Sequence, residues 1–315
     1  MVIEFISEYK DHQPAGGLRW GVEPLCRVLT DHGVPISPST YYEWVARRPS
    51  RRQLRDAEVA ELIAGERARR RLVASLGSRK MWLRLRSQGH DVARCTVERI
   101  MRRHGWEGAR YGRRLPRTTV PDPAAARSAD LVGRDFNPVS PNRLWVADFT
   151  YCPTWNGMVY LAFVIDAYAR RVIGWRAADR MDTSLVLDAL EHAVFTRRQA
   201  GITDLTGLVA HSDAGSQYTS IALTSRLLEA GIDPSVGSVG DALDNALAET
   251  TIGSFKIEQI HRHGPWRDLA EIEVAAFEWV DFFNNDRPHE YLDDLTPCQA
   301  EELHYAHRNT LARTG

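Results

Sequence analysis

The sequence predicts an all-helical N-terminal region followed by an α/β domain, and three observations carry that reading. Up to residue 114, apolar residues recur at helical spacing. From residue 143 onward, short runs rich in β-branched and aromatic residues alternate with amphipathic stretches. Between them, residues 115–142 hold five prolines and little periodicity, as a linker would. The expected division is therefore 1–114, 115–142 and 143–305. A chain of 315 residues, 43% of them hydrophobic, can build more than one core.

Charge divides along the same line. The net charge is only −1, but residues 1–120 hold 24 Lys and Arg against 13 Asp and Glu, while residues 121–315 hold 16 against 28. A basic half joined to an acidic half suggests a polyanion-binding module attached to a domain that tolerates clustered carboxylates. The alternative is two solvated surfaces of opposite sign. The longest apolar runs are too short to span a bilayer, and no secretory h-region is visible near Met1. Cys26, Cys95, Cys152 and Cys298 are scattered, with no CxxC pair, so the expected home is a reducing cytoplasm, at the nucleoid if DNA is the partner.

Taken in order, "GLRWGVEPLCRVLTDHG" reads as a helix closed at Gly33. "SPSTYYEWVARRPS" reads as a second, with Ser37 or Ser39 as N-cap and Tyr41, Tyr42, Trp44 and Val45 as packing face. "RRQLRDAEVAELIAGERARRRL" is amphipathic along Leu54, Val59, Leu62 and Ile63. Two short stripes follow, Met81–Trp82–Leu85 and Val97–Ile100–Met101, broken by Gln88-Gly89-His90. That is the outline of a helix-turn-helix, with Arg94, Arg99, Arg102 and Arg103 on its second helix able to face phosphates or bases. Beyond the linker, "RLWVADFTYC", "MVYLAFVIDAYA", "RVIGWRAA", "LTGLVA" and "PSVGSV" read as five strands, the second and third joined as an antiparallel hairpin near Tyr168–Arg170. Helices are expected over "TSLVLDALEHAVFTRRQ", capped by Thr183, over "SIALTSRLLEAG", over "DNALAETTIGSFKIEQI", capped by Asp244, and over "DLAEIEVAAFEWVDFF", with a polar tail after it.

Three carboxylates stand out. Asp148 interrupts the first strand, where aspartate is disfavoured. Asp213 follows "LTGLVA", just past the expected strand end, and Glu249 stands on a helix with 35 residues between the two. Ligands of α/β sheets gather where strand ends meet helix ends. Three carboxylates gathered there need a cation between them, and oxygen-only ligands suit magnesium or manganese. Two such ions can clamp the attacking and leaving oxygens of a phosphoryl transfer. Gly215 then turns the chain, leaving Gln217 and Tyr218 free to contact a sugar-phosphate backbone.

The blocks "LWVADFTY", "HSDAGSQYTS", "DNALAETTIGSFKIE" and "FFNNDRPHEYLDDLTP" resemble the signature blocks of insertion-sequence transposases of the IS-three family, of actinobacterial type, as the product of the second reading frame. "PSTYYEW" and "GSRKMWLRLRSQGHDVARCTVERIM" resemble the N-terminal segment of that family, so the likeness spans nearly the whole chain. It implies a ribonuclease-H-like integrase core, a mixed five-stranded sheet with helices, carrying a DDE triad of Asp148, Asp213 and Glu249. It implies that Lys256, seven residues after Glu249, contacts the transposon end, and that Asp244 and Asn245 position the helix of Glu249. It implies metal-dependent cleavage and strand transfer on double-stranded DNA, at the inverted repeats and at a target, by an oligomer on DNA. It further implies a first-frame partner or frameshift fusion, and no membrane. Ala214 departs from the family, which often has a larger polar or basic residue there. A non-catalytic DNA-binding repressor derived from a transposase is the alternative, and a nuclease without strand transfer a third reading.

Other residues leave choices open. Glu258 rivals Glu249 as third carboxylate, with 44 residues between it and Asp213. Asp166 either points into the same site or caps the hairpin. His211 either orients Asp213, binds DNA or satisfies the core. His261 and His263 form an HxH pair that is either a metal site or surface, and Arg287 and His289 either contact DNA or pack the C-terminal helix.

Overall fold

The computed structural model describes residues 1–110, 132, 136–212, 221–236 and 246–314. Their contacts divide them into two compact units, Met1–Glu58 and Val59–Gly315. Most of the proline-rich segment 115–142 lies outside the described residues.

The first unit is helical. Helices α1 (Val2–Tyr9), α2 (Val22–Asp31) and α3 (Pro38–Ala46) enclose Ile6, Val22, Leu25, Cys26 and Tyr41. Ser37 caps α3 by accepting the N–H of Thr40, and Gly33 takes the left-handed conformation that ends α2. The expected packing face of α3 holds only at Tyr41. Tyr42, Trp44 and Val45 are more than half exposed, because a nine-residue helix on so small a core buries one narrow stripe.

In the second unit the described residues form a five-stranded mixed sheet. Its strands are β1 (Leu144–Thr154), β2 (Gly157–Asp166), β3 (Arg171–Ala178), β4 (Leu208–Ser212) and β5 (Ile232–Val236), in the order β3-β2-β1-β4-β5. β1–β2 and β2–β3 pair antiparallel; β1–β4 and β4–β5 pair parallel. Alternation sorts β1 between two cores: Leu144, Val146 and Cys152 enter one, Trp145, Ala147 and Phe149 the other. Asp148 has the parity of the first set. β4 runs further than "LTGLVA" suggests. It includes His211 and Ser212, because β1 and β5 pair with it on both sides and continue the ladder through them.

One face of the sheet is covered by α7 (Thr183–Gln199) and α8 (Ile221–Glu229). Asp182, not Thr183, caps α7, accepting the N–H groups of Ser184 and Leu185. The helix crosses β3 so closely that a Cβ at Gly174 would stand 2.3 Å from the carbonyl oxygen of Ala189. The other face is covered by α9 (Ala246–Phe255) and by α11 (Leu269–Asn285), which Asp268 caps. A π-turn (Lys256–Ile260) and the single-turn α10 (His261–His263) lead from one to the other. The polar stretch expected after α11 holds only the short 3₁₀ turn Glu290–Leu292, and beyond it the chain forms α12 (Pro297–Thr314).

The same core takes in α4 (Arg51–Arg69) beyond Val59, α5 (Ser78–Ser87) and α6 (Arg94–Arg103), through Val59, Ile63, Met81, Leu85, Val97, Ile100 and Met101. Opposite charges hold this packing. Arg70 lies 2.6 Å from Asp281 and 2.5 Å from Asp286, Arg84 lies 2.7 Å from Asp286 and 2.5 Å from Glu66, and Arg79 lies 2.7 Å from Asp294. Part of the basic charge of the first half therefore meets acids of the second half within the chain. No helix among the described residues is long and apolar enough to cross a membrane.

Candidate active site

Asp148 sits opposite Phe163 of β2, half-buried on the face that α9 covers. Its Oδ1 accepts the N–H of Phe149 at 2.8 Å. The last parallel pair between β1 and β4 is Ala147 with Ser212. Asp148 is the residue of β1 that follows this pair, and Asp213 follows Ser212 in sequence. Asp213 itself lies outside the described residues, as do Gln217, Tyr218, Asp244 and Asn245.

Glu249 lies in the first turn of α9 and is exposed. Its neighbours Leu247, Ala248, Ile252 and Phe255 bury the opposite side of the helix, with Phe255 edge-on to Phe163 at 5.4 Å. An acid in the first helical turn is favoured by the helix dipole, and exposure leaves its oxygens open to a ligand. Two turns on, the Lys256 ammonium stands 4.4 Å over the ring of Tyr151, three residues past Asp148. Sequence reasoning attached nothing to Tyr151; its only signal was an aromatic on the strand of the first carboxylate.

The rivals resolve into structure. Glu258 is buried, its Oε1 taking the Arg287 guanidinium at 2.8 Å and its Oε2 the Trp279 indole N–H at 3.1 Å. Both oxygens are engaged away from solvent. Asp166 caps the hairpin by accepting the N–H of Tyr168 at 3.0 Å, and it pairs with the buried Arg197 at 2.8 Å. His211 is buried, 3.0 Å from the Ser235 hydroxyl and edge-on to Phe136. His289 is half-buried, edge-on to Phe283, and desolvation together with the nearby Arg287 and Lys80 pushes its pKa down to about 2. His261 is exposed, and burial lowers the pKa of His263.

On α6, Arg94 is exposed and paired with Glu98 at 2.7 Å, Arg102 and Arg103 are exposed, and Arg99 is half-buried. Val97, Ile100 and Met101 bury the opposite stripe, so the arginine face turns outward.

Among the described residues, no three His, Cys, Asp or Glu side chains gather to hold a metal, and Asp213 is not among them. The donors that are described fit a hard cation. Asp148 and Glu249 offer only oxygen. The thiol nearest in sequence, Cys152, is buried and its pKa is pushed up to about 12, which keeps it protonated and unfit as a soft ligand.

Comparison with known proteins accords with this architecture. Residues 52–114 match the family described as HTH-like domain, and residues 138–242 and 230–297 match families described as Integrase core domain. A Mycobacterium tuberculosis protein named as the candidate transposase for insertion sequence element IS986/IS6110 is 53% identical over 275 residues, covering 87% of this chain and 98% of that protein. The transposase for insertion sequence element IS629 of Shigella sonnei is 44% identical, covering 91% and 94%. Transposase InsF for insertion sequence IS3A of Escherichia coli is 30% identical, covering 91% and 96%. Among solved structures, the HTLV-2 integrase catalytic core domain in complex with magnesium aligns with a TM-score of 0.39 at 16% identity, over 52% of this chain and 98% of that one. A helical HTH-like region joined to a ribonuclease-H-like integrase core, and relatives matched along almost their whole length, place this chain in the IS-three family of insertion-sequence transposases.

Proposed function

We propose that this chain is a catalytically active DDE transposase that cuts the ends of its own insertion sequence and joins them to target DNA. The observation that carries the reading is Asp148: a carboxylate inside a strand, one residue past the last described β1–β4 pair, on the face covered by the helix of Glu249. Asp148, Asp213 and Glu249 would hold magnesium or manganese, as two ions. Bound there, such ions lower the pKa of the attacking oxygen and offset charge on the departing one.

The remaining work falls to the protein. The carboxylates hold fixed negative charge at one end of the sheet, and no nucleophilic side chain is required. Water attacks the phosphodiester first, and the freed 3′-hydroxyl attacks target DNA next, with no covalent protein intermediate. Lys256 takes a phosphate at the transposon end. The outward arginines of α6, Arg94, Arg99, Arg102 and Arg103, take the phosphates and base edges of the inverted repeat, and Gln217 and Tyr218 the backbone near the cut. Two ends processed together imply an oligomer on DNA, and a first-frame partner or fusion supplies any further end binding.

The test places the inverted repeats of the element on a plasmid in cells and scores excised circles and joined ends. Wild type yields junctions, while Asp213→Asn and Glu249→Gln lose them by at least about a thousandfold, a scale reached when one transition-state contact goes. Both variants keep gel-shift binding to the repeats, and chelation of divalent ions stops cleavage by the purified wild type. Junctions from either variant would overturn the triad. Binding without junctions from wild type, even as a first-frame fusion, would mark the chain as a repressor.

A further inference from the structure

The tip of the β1–β2 hairpin has a feature that chemistry at the carboxylates does not use. Trp155 is 72% exposed, yet its position is fixed: its backbone N–H donates to the Trp266 carbonyl and that of Asn156 to the Arg267 carbonyl, each at 3.0 Å. Register pairs Tyr151 with Tyr160 and Pro153 with Met158, so these four side chains share one face of the ladder. Tyr151 is 40% and Met158 41% exposed, whereas Cys152 and Val159 on the reverse face are buried. An apolar strip turned to water on an anchored hairpin is costly unless something covers it. The strip lies on the opposite face of β1 from Asp148, starting three residues further along, and it is joined to the α9 side by the Lys256 ammonium, which stands over Tyr151 two helical turns from Glu249.

We propose that this strip is a stacking platform for unpaired bases of the DNA end being processed. It rests on reading the neighbouring carboxylates as a DNA-end processing site. Flat rings backed by a cation suit single-stranded nucleic acid, whose bases offer open faces and whose phosphates need charge. A duplex covers those faces except at its terminus. With Lys256 on the phosphate and Tyr151 and Trp155 on successive bases, the platform holds a frayed strand along β1, leading away from Asp148. It selects end-opened over fully paired DNA without reading sequence.

The test uses the full chain and a fluorescein-labelled oligothymidylate of about a dozen nucleotides, near the length such platforms cover, beside a blunt duplex of similar length. Trp155→Ala should bind oligothymidylate roughly tenfold more weakly, the loss expected for one stacked base, with duplex binding nearly unchanged. Trp155→Phe, which keeps a ring, should restore most of the affinity and so separates stacking from misfolding. Equal oligothymidylate affinity for wild type and Trp155→Ala overturns the platform, as does wild type failing to bind it. Loss of self-association by light scattering, with DNA affinity unchanged, would assign the strip to a second copy of the chain and overturn the proposal too. Asp213→Asn separates the two readings: it keeps oligothymidylate binding whether or not the chain cuts DNA. Inactive wild type with Trp155-dependent binding would therefore sink the catalytic reading alone.

Discussion

Replacing Arg197 by methionine should cost the second unit, Val59–Gly315, several kilocalories per mole. Its guanidinium is wholly buried on α7, 2.8 Å from Asp166 and 2.5 Å from Glu301, whose other oxygen lies 2.5 Å from Arg171. Asp166 is equally buried and accepts the N–H groups of Asn142 at 2.7 Å and Tyr168 at 3.0 Å. Methionine fills most of the arginine volume but leaves Asp166 with two neutral donors and no countercharge. Removing one partner of a buried pair costs roughly 3–5 kcal/mol. At about 2–4 °C per kcal/mol for a unit of this size, the melting temperature should fall by roughly 10 °C. Burial already holds the Asp166 carboxyl above its ordinary range, with Arg197 opposing that shift. In the variant the opposition is gone, so the native state binds a proton that the unfolded state releases above about pH 4. Its deficit must then shrink as pH falls from 7 towards 5. Urea melts followed by circular dichroism at both pH values measure this. A loss below about 1 kcal/mol, or a deficit that grows on acidification, would show that water reaches the pair and refute the reasoning.

Two further outcomes follow from packing and titration. Gly174→Ala should destabilise by at least the ~1–3 kcal/mol typical of overpacking, because the added Cβ meets the Ala189 carbonyl at 2.3 Å and the Ala193 nitrogen at 2.7 Å, both helix backbone; urea midpoints like those of wild type would show that α7 shifts freely. His289, its pKa lowered to about 2, stays neutral in the native state while the unfolded chain takes up a proton below about pH 6.5, so stability is lost as pH falls through that value. Between pH 7 and 5 that amounts to about 2 kcal/mol, which His289→Gln should abolish in the same urea assay; an unchanged slope in the variant would place the acid sensitivity elsewhere.

Local chemistry explains what the sequence made legible. β3 spans the run "RVIGWRAA", and the β2–β3 hairpin falls at Tyr168–Arg170, because β-branched runs and a tight turn are local signals. Of the two stripes of the helix-turn-helix outline, Met81, Leu85, Val97, Ile100 and Met101 are buried and Trp82 is half-buried against them. Glu249 is found on a helix and Asp148 inside a strand for the same reason. What stayed hidden depends on residues far apart in sequence. Asp166 and Arg197 are 31 residues apart, and either alone looks like a surface charge. Glu258 offered itself as a ligand until Arg287 and Trp279, on the following helix and loop, took both oxygens. β4 gained His211 and Ser212 from its two neighbours and not from its own composition. α12 begins where the polar stretch read after α11 ends, and its described anchors include Glu301, a residue type rarely buried unless it is paired, as here with Arg171 and Arg197.

The charge asymmetry shows the same limit from the other side. Counting signs along the chain suggested a basic module reaching out to a polyanion. Arg70, Arg79 and Arg84 instead close on Asp281, Asp286 and Asp294, carboxylates from the acidic half. The pairs to Asp286 and Asp294 are partly buried, so salt screens them less than it would pairs on an open surface, such as that to the exposed Asp281. The basic charge left facing outward on this unit includes the α6 arginines, set on the opposite side of that helix from the stripe that packs into the core. α6 and the strand of Asp148 thus belong to one compact unit sharing one hydrophobic core. If α6 reads the inverted repeat, it does so from the same hydrophobic core that carries the strand of Asp148. The distance along DNA from recognised bases to the cleaved bond is then set by packing around Val97, Ile100 and Met101, and not by the length of the proline-rich segment.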